Sequence, residues 1–311
     1  MAPPSTSSLS SLPPPPPVPN VQLSLPSPHV LLVTLDRPRA LNAIPAAQNQ
    51  AMAALWAWYD AQPQLRCAVL TGGDGRAFCA GADLREWDQR HTADDENNNN
   101  NNNNENNTAS DRQAVDKAWE AARARELWTR EGFGGLSNRA GKKPVIAAVN
   151  GLCLGGGMEM VVNCDLVVAD GARARFGLPE VGKGVVAVAG ALPRLVRTMG
   201  RQRAAEMALL GRIGYTAEQM RDWGIVNFVV GEGKAVQEAV KIAEEIANNS
   251  PDAVIASREG LRLGWEPLGP QLGTEVLEKG VYGRIDGGEN MKEGLRSFVE
   301  KRKPVWKDSK L

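Results

Sequence analysis

Short runs of β-branched and apolar residues alternate with helical segments along most of this chain. The strand-like runs occupy residues 30–35, 67–71, 145–149 and 166–169. After the first run, Met52, Leu55, Trp56 and Tyr59 recur at i, i+3, i+4 and i+7, which predicts a helix with one buried stripe. From residue 201 onward, helical patterns dominate. The alternation therefore predicts an α/β core followed by a C-terminal helical region.

Two low-complexity segments interrupt this pattern. Ten of the 20 prolines lie in residues 1–28, among serines and without a charged residue, so this segment is predicted to be a disordered tail. An acidic and then Asn-rich stretch predicts a solvated insert at 92–110. The predicted organisation is a core over 29–230, which contains the insert, then a helical region over 231–308 and a terminal tripeptide at 309–311.

The composition argues against several classes of function. Lysine and arginine total 36, as do aspartate and glutamate, and a net charge of zero argues against a nucleic-acid partner. No run of about 18 apolar residues occurs, so no membrane span is expected. The chain has two histidines, and its four cysteines lack metal-ligand spacing, so we predict no metal site.

Three short motifs contain the candidate catalytic residues. They are Phe-Cys-Ala-Gly-Ala-Asp-Leu at 78–84, Asn-Gly-Leu-Cys-Leu-Gly-Gly-Gly-Met-Glu at 150–159 and Phe-Gly-Leu-Pro-Glu at 176–180. Two further segments accompany them, Leu-Asp-Arg-Pro at 35–38 and Phe-Val-Glu-Lys-Arg at 298–302. In this order, the motifs resemble the crotonase (enoyl-CoA hydratase/isomerase) superfamily over residues 29–305. The resemblance implies a ββα spiral core with a C-terminal helical region that forms a homotrimer or a dimer of trimers.

The glycine triplet within the second motif follows a strand and opens a helix. The first N–H groups of a helix have no internal acceptor and lie at the positive end of its dipole, so they can bind an oxygen that gains negative charge. Small residues in the first motif let a ligand approach the main chain closely. By resemblance, the backbone N–H groups of Ala82 and Gly156 form the oxyanion hole for a thioester oxygen.

Two glutamates end the second and third motifs. Glu159 lies about one helical turn beyond Gly156, and Glu180 follows a Gly-Leu-Pro turn that fixes the backbone. Adding water to a C2=C3 bond needs one group that deprotonates water and another that protonates C2, and two carboxyl groups in one site can divide these roles. By resemblance, Glu159 is the general base and Glu180 is the acid.

The resemblance also indicates how coenzyme A would bind. It places the backbone of Arg39, Ala40 and Leu41 near the adenine and the loop residues Ala80, Gly81, Asp83 and Leu84 near the pantetheine. Lys301 matches a lysine near the CoA phosphates, acting on the ligand of a neighbouring subunit, although an ordinary solvated helix end is an alternative interpretation. Coenzyme A is part of the substrate, and no separate cofactor is implied.

The predicted reaction is reversible addition of water to a trans-2-enoyl-CoA, which gives a 3-hydroxyacyl-CoA. The alternatives are a Δ3-Δ2 enoyl-CoA isomerase that uses Glu180 alone, and a non-catalytic scaffold or RNA-binding homologue of the same fold. The presence of both glutamates favours the hydratase. The Asn-rich insert falls in the segment that covers the acyl tail in this family, so the chain length of the substrate stays open.

The chain ends in Ser309-Lys310-Leu311, which has the form of a peroxisomal import signal. Such a tripeptide is recognised by an import receptor at a free C-terminus. The sequence therefore predicts the import receptor as a partner and the peroxisome as the compartment.

Overall fold

The strand-like runs of the sequence form strands of a β-sheet, and shorter strands between them form a second sheet. The computed structural model describes residues 12–73, 75–83, 86, 130–265 and 269–311. Its strands are β1 (Val21–Ser27), β2 (Val30–Leu35), β3 (Cys67–Thr71), β4 (Ala77–Cys79), β5 (Val145–Val149), β6 (Leu152–Leu154), β7 (Leu166–Asp170), β8 (Arg175–Gly177), β9 (Tyr215–Thr216) and β10 (Phe228–Val230). The predicted insert at 92–110 and Leu84 lie outside the described residues.

From β3 to β8, successive strands of the chain alternate between the two sheets. The larger sheet has six strands in the order β1-β2-β3-β5-β7-β10, and the smaller has four in the order β4-β6-β8-β9. The consecutive pairs β3/β4, β5/β6 and β7/β8 each give one strand to the larger sheet and the next to the smaller one. Strands β3, β5 and β7 are parallel, as are β4, β6 and β8. This repeated ββ unit is the spiral that the sequence predicts.

Helices cover the sheets and make up most of the C-terminal part. They are α1 (Ala46–Ala61), α2 (Gly156–Val162), α3 (Ala191–Met199), α4 (Arg201–Leu210), α5 (Ala217–Asp222), α6 (Ala235–Ala247), α7 (Pro251–Trp265), α8 (Pro270–Leu277), α9 (Gly283–Ile285) and α10 (Glu289–Val299). The predicted stripe Met52, Leu55, Trp56 and Tyr59 on α1 is fully buried. Within the described ranges, no helix is both long and apolar enough to span a bilayer.

Helix α6 packs on the larger sheet, which moves the predicted domain boundary. Its residues Ala235, Ala239 and Ala243 are buried in one cluster with Val69 and Ile146 of the sheet. Small side chains let the helix approach the sheet closely, so this helix closes the second face of the core. The predicted division after residue 230 is therefore wrong in placing α6 outside the core.

The proline-rich head is more ordered than predicted. Val21–Ser27 form β1, which pairs antiparallel with β2, and Leu12 is buried in the core. The indole N–H of Trp58 donates to the Pro13 carbonyl oxygen at 3.1 Å. Pro26 is tolerated in β1 because β1 is an edge strand and its pairing with β2 shifts register between Ser24 and Ser27. The prediction of disorder over 1–28 is thus wrong for residues 12–28, and residues 1–11 lie outside the described part.

The last residues of the chain lie against the protein body. The Trp306 indole N–H donates to the Asn248 carbonyl oxygen at 2.8 Å, and the side chain of Asn290 binds the backbone of Lys307 through both of its polar atoms. The Lys142 ammonium donates to a backbone oxygen of Leu311 at 2.9 Å. The terminal tripeptide is therefore at the surface and anchored at one end.

Candidate active site

The loop after β4 carries the first predicted backbone donor, that of Ala82. The N–H of Ala80 donates to the Leu41 carbonyl oxygen at 3.0 Å. The backbone of Ile44 bonds on both sides of Ala82, accepting from Asp83 at 3.2 Å and donating to Gly81 at 2.9 Å. This parallel bridge uses the neighbours of Ala82, so the Ala82 N–H points away from Ile44. The two hydrogen bonds of Ile44 therefore fix the direction of the Ala82 N–H.

The second predicted donor, Gly156, is the first residue of α2. Gly155 precedes it with φ +54°, a conformation that favours glycine, and turns the chain from β6 into the helix. A Cβ atom on Gly156 would lie 2.5 Å from the ring of Phe133, and one on Gly157 would collide with the Cys79 carbonyl oxygen. The triplet is therefore required by close packing as well as by the turn.

The structure brings the two donor loops together. Gly81 has φ +97°, and a Cβ atom placed on it would lie 3.2 Å from the Gly156 nitrogen and 3.3 Å from the Leu154 carbonyl oxygen. Since Ala82 follows Gly81 directly, its N–H and that of Gly156 belong to two backbone segments in van der Waals contact. This geometry can place two donors on one oxygen atom.

Glu159 lies on α2, one turn beyond the Gly156 donor, and is 5% exposed. The pKa of Glu159 is raised to about 7, mainly by burial and in part by the nearby charge of Glu180. Backbone N–H groups of Ala191 and Ala189 and the charge of Arg194 act in the opposite direction. The carboxyl group therefore exchanges its proton near neutral pH, as a general acid or base requires.

Glu180 starts a short 3-10 helix, Glu180–Lys183, directly after Pro179. A Cβ atom on Gly155 would lie 3.0 Å from Glu180 Oε1, which places this carboxyl group beside the glycine triplet. Its Oε2 is buried without a hydrogen-bond partner among the described residues, and burial raises the pKa of Glu180. Such an atom can exchange a proton with a bound molecule without first breaking a hydrogen bond.

The residues predicted to bind CoA fall into two groups. Residues 39–41 and 80–83 are adjacent, because Ala80 bonds to Leu41. Lys301 is exposed at the end of α10, and none of the contacts in the described part links it to this site.

Sequence reasoning missed several residues that hold the site in place. Arg37 pairs with Asp83 at 2.6 Å, so the Asp83 carboxylate ties the two segments together. Asn42 is 2% exposed and donates to the carbonyl oxygens of Gly72 and Ala77. The sequence signals were the Leu-Asp-Arg-Pro segment at 35–38, which contains Arg37, and the amide side chain of Asn42 a few residues after it. Their partners are distant in sequence and could not be read from it.

The two cysteines next to the donor loops are structural. Cys79 and Cys153 are opposite each other in β4 and β6, and both are fully buried. Burial raises the pKa of Cys79 to about 12 and raises that of Cys153 well above its usual value. Thiols held in the neutral form are poor nucleophiles, so they act as small core residues.

The sequence matches the model of a protein family described as enoyl-CoA hydratase/isomerase over residues 27–115 and 125–309. The chain belongs to this family. It is 58% identical over 296 residues to mevalonyl-coenzyme A hydratase of Beauveria bassiana (94% of this chain, 97% of that protein). It is 46% identical over 296 residues to the mevalonyl-coenzyme A hydratase of Aspergillus fumigatus (94% of this chain, 98% of that protein).

Solved structures of the enoyl-CoA hydratase/isomerase family have the same architecture. An enoyl-CoA hydratase from Mycobacterium tuberculosis superposes with a TM-score of 0.74 at 31% identity, covering 94% of this chain and 100% of that one. One from Bacillus anthracis superposes with a TM-score of 0.73 at 30% identity, covering 93% of this chain and 100% of that one. The predicted crotonase fold is confirmed, and the protein is a hydro-lyase of the crotonase superfamily.

Proposed function

We propose that this protein adds water reversibly across the C2=C3 bond of a branched 2-enoyl-CoA and that its 3-hydroxyacyl product is mevalonyl-CoA. The two relatives named as mevalonyl-coenzyme A hydratases support the substrate, because they align over nearly their full lengths. Mevalonyl-CoA carries a hydroxyl and a methyl group on C3. Loss of that hydroxyl with a C2 proton gives the conjugated enoyl thioester, so the chemistry is that of any hydratase of this family.

The observation that carries the proposal is a pair of glutamates beside the two donor loops, of which Glu159 is buried and Glu180 half-buried. The N–H groups of Ala82 and Gly156 bind the thioester oxygen as it becomes an enolate. Glu159 removes a proton from the attacking water, and Glu180 delivers a proton to C2. In dehydration, the two glutamates exchange acid and base roles. No electrons are transferred, so the reaction requires no redox cofactor.

The same proposal includes the CoA contacts that the family resemblance implies. The adenine lies near the backbone of Arg39, Ala40 and Leu41, and the pantetheine follows the loop from Ala80 through Leu84. Asp83 contributes through its ion pair with Arg37, which holds this loop to the residue 37–44 segment. Lys301 binds the CoA phosphates of a neighbouring subunit, which agrees with the lack of a described contact between Lys301 and the site of its own chain.

The same proposal includes a homotrimer or a dimer of trimers. Helix α10 exposes Leu295, Phe298 and Val299 to 66%, 85% and 78%. Three neighbouring exposed apolar side chains on one helix favour contact with another subunit. Light scattering coupled to size-exclusion chromatography measures the subunit number, and a monomeric mass would contradict this part of the proposal.

We also propose import into peroxisomes through Ser309-Lys310-Leu311. The Lys310 side chain is exposed and pairs with Glu289 at 3.3 Å, a contact that a receptor can replace. A fluorescent protein fused to the N-terminus should be punctate and overlap a peroxisomal marker. The same fusion with Leu311 deleted should be diffuse, and identical distributions would contradict the import signal.

The function is tested with purified protein and mevalonyl-CoA. We expect the absorbance of a conjugated enoyl thioester to appear and the two compounds to reach the same equilibrium from either side. Crotonyl-CoA, which lacks the methyl and the distal hydroxyl group, should react with a lower kcat/KM. Turnover of crotonyl-CoA without turnover of mevalonyl-CoA would contradict the proposal that mevalonyl-CoA is the substrate. Conversion of a 3-enoyl-CoA without hydration of any 2-enoyl-CoA would overturn the hydratase and favour the isomerase.

A further inference from the structure

The Glu159 carboxylate is held by a turn that lies outside its own helix. The N–H of Ala191, the first residue of α3, donates to Glu159 Oε1 at 3.3 Å. The preceding residue, Gly190, has φ +126°, a conformation that excludes most other residues. The position of the Glu159 carboxylate therefore depends on how this turn is fixed.

Arg194 fixes the turn from inside the protein. It is 8% exposed, and its guanidinium donates to the Gly190 carbonyl oxygen and to Asn138 Oδ1, both at 3.0 Å. A Cβ atom on Gly190 would collide with this guanidinium. The two acceptors differ in direction, and the planar guanidinium with its several N–H donors can reach both.

A second contact holds the same turn. The buried hydroxyl of Ser137 donates to the Ala189 carbonyl oxygen at 2.7 Å and accepts from the Phe133 N–H at 2.7 Å. The Phe133 ring in turn lies where a side chain on Gly156 would be. One set of contacts thus links the Glu159 carboxylate to the backbone that carries the oxyanion donor.

We infer that Arg194, held by Asn138, is a positioning residue that fixes the 189–191 turn onto Glu159 and provides the positive charge for its ionised form. The inference rests on the proposed role of Glu159 as the general base. It predicts a group that never contacts substrate yet controls how readily Glu159 loses its proton.

The charges around Glu159 make this effect measurable. Among the described residues, the charged groups that act on Glu159 are Glu180, which raises its pKa, and Arg194, which lowers it. Removing Arg194 takes away the positive charge that opposes the repulsion from Glu180, and it loosens the turn whose backbone N–H groups also lower the pKa of Glu159. The proton should then be held more tightly and be released at a higher pH.

The test measures the ionisation of Glu159 directly, without requiring turnover. The carboxylate stretching band is followed by infrared difference spectroscopy during a pH titration, and it is assigned by its absence from Glu159→Gln. In the unsubstituted protein the midpoint should lie near 7. In Arg194→Gln it should move upward by about half a unit or more. In Arg194→Lys, which keeps the charge, most of this shift should be reversed.

Arg139→Gln is the matched control. Arg139 is also buried and pairs with Asp60 at 2.6 Å, but it makes none of the contacts that hold the 189–191 turn. It should destabilise the protein and leave the Glu159 midpoint unchanged. An equal midpoint in Arg194→Gln and the unsubstituted protein would overturn the inference, and so would an equal shift in Arg139→Gln.

Two further measurements keep the outcome distinct from that of the proposed function. If Arg194→Gln does not fold, Asn138→Ala, which removes one arm of the contact, should give a smaller shift in the same direction, and an unchanged midpoint there overturns the inference. In a Glu180→Gln background, the acid limb of the residual kcat/KM should shift in the same direction as the infrared midpoint when Arg194→Gln is added. A shifted midpoint in a protein without hydratase activity would refute the proposed function and leave the Arg194 inference supported.

Discussion

The two glutamates of the site have the same side chain in different surroundings. Glu159 is on α2, is almost fully buried and accepts a hydrogen bond from the turn before α3. Glu180 is half-buried at the start of a short 3-10 helix, and its Oε2 has no hydrogen-bond partner in the described part of the chain. One carboxyl group is therefore fixed by its surroundings, and the other is left available on one of its oxygens.

This difference shows how one residue type can supply both an acid and a base. Burial raises both pKa values, but Glu159 also experiences the charge of Glu180 and is stabilised by backbone donors and Arg194. Two neighbouring carboxyl groups do not ionise independently, so a state with one proton between them is favoured near neutral pH. A hydratase needs one carboxyl group ionised and the other protonated, with the proton on Glu180 when water is added.

Replacing either glutamate should have the largest effect on the rate. Glu159→Gln and Glu180→Gln should each lower kcat for hydration by about 10²–10⁴-fold, because each removes one proton transfer. The two variants should differ in exchange of the C2 proton of a saturated acyl-CoA with deuterated water. Exchange should persist in Glu159→Gln and be lost in Glu180→Gln.

Glu278→Gln serves as the control for this pair, because Glu278 is exposed and distant in the chain from both motifs. It should leave hydration and exchange unchanged. Loss of C2 exchange in Glu159→Gln with retention in Glu180→Gln would reverse the assigned roles.

Gly156→Ala should have the next largest effect, and it should act through the backbone rather than through a proton. The new Cβ atom would lie 2.5 Å from the Phe133 ring, so α2 or the ring must move, and the N–H donor moves with the helix. We expect kcat to fall by about 10²–10³-fold, as for the loss of one oxyanion donor. Since Glu159 is on the same helix and Glu180 is not, the substitution should also alter the titration of Glu159.

Gly182→Ala is the matched control for this substitution. Gly182 lies in the short helix of Glu180, and a Cβ atom there would have no neighbour within 4 Å. Its steady-state kinetics should equal those of the unsubstituted protein. A similar loss of kcat in both variants would mean that the effect does not arise at the oxyanion hole.

The pH dependence of the rate should follow Glu159. In Glu180→Gln, where no second carboxyl group has to keep its proton, the residual kcat/KM for hydration should fall about tenfold per pH unit below about 7, because Glu159 must be ionised to accept a proton from water. The limb should be absent from the residual activity of Glu159→Gln and present in that of Glu180→Gln. If the fall in kcat/KM at low pH persists in Glu159→Gln, it arises from the ionisation of another group.

The local features of this site could be predicted from sequence because they depend on neighbouring residues. A glycine triplet between a strand and a helix, and a Pro-Glu turn, each specify backbone geometry within a few positions. Arg194 and Ser137 could not be found in this way. Their roles depend on contacts with residues far along the chain, such as Asn138 for Arg194 and Ala189 for Ser137.

The errors in the fold have the same origin. Residues 21–27 alternate in burial as an edge strand does, but the surrounding prolines and serines masked that signal. On α6, the sequence pattern predicts one apolar face formed by Val236, Val240, Ala243 and Ala247. The two alanines of that face are buried, but Val236 and Val240 are only partly buried, and Ala235 and Ala239 are buried in their place. Apolar size is a weak guide where a helix must approach a sheet closely, because close approach selects small side chains.

The smallest expected effect is on stability, and it tests whether Glu159 is the more constrained of the two glutamates. Because the folded-state pKa of Glu159 is raised to about 7, the native protein retains a proton that the unfolded chain releases above its usual pKa. Native stability should therefore fall as pH rises through this window and level off above about 7. Glu159→Gln removes this dependence, so relative to the unsubstituted protein it should gain about 1–3 kcal/mol between about pH 5 and pH 8.

Urea unfolding at equal protein concentration measures this gain, with Glu278→Gln as the control. Glu180→Gln should show a gain of the same sign and smaller size, because its carboxyl group is only half-buried and its pKa is raised less. A difference between Glu159→Gln and the unsubstituted protein that does not change with pH would mean that Glu159 titrates alike in the folded and unfolded chains. The contrast between a fixed and an available carboxyl group would then not arise from burial.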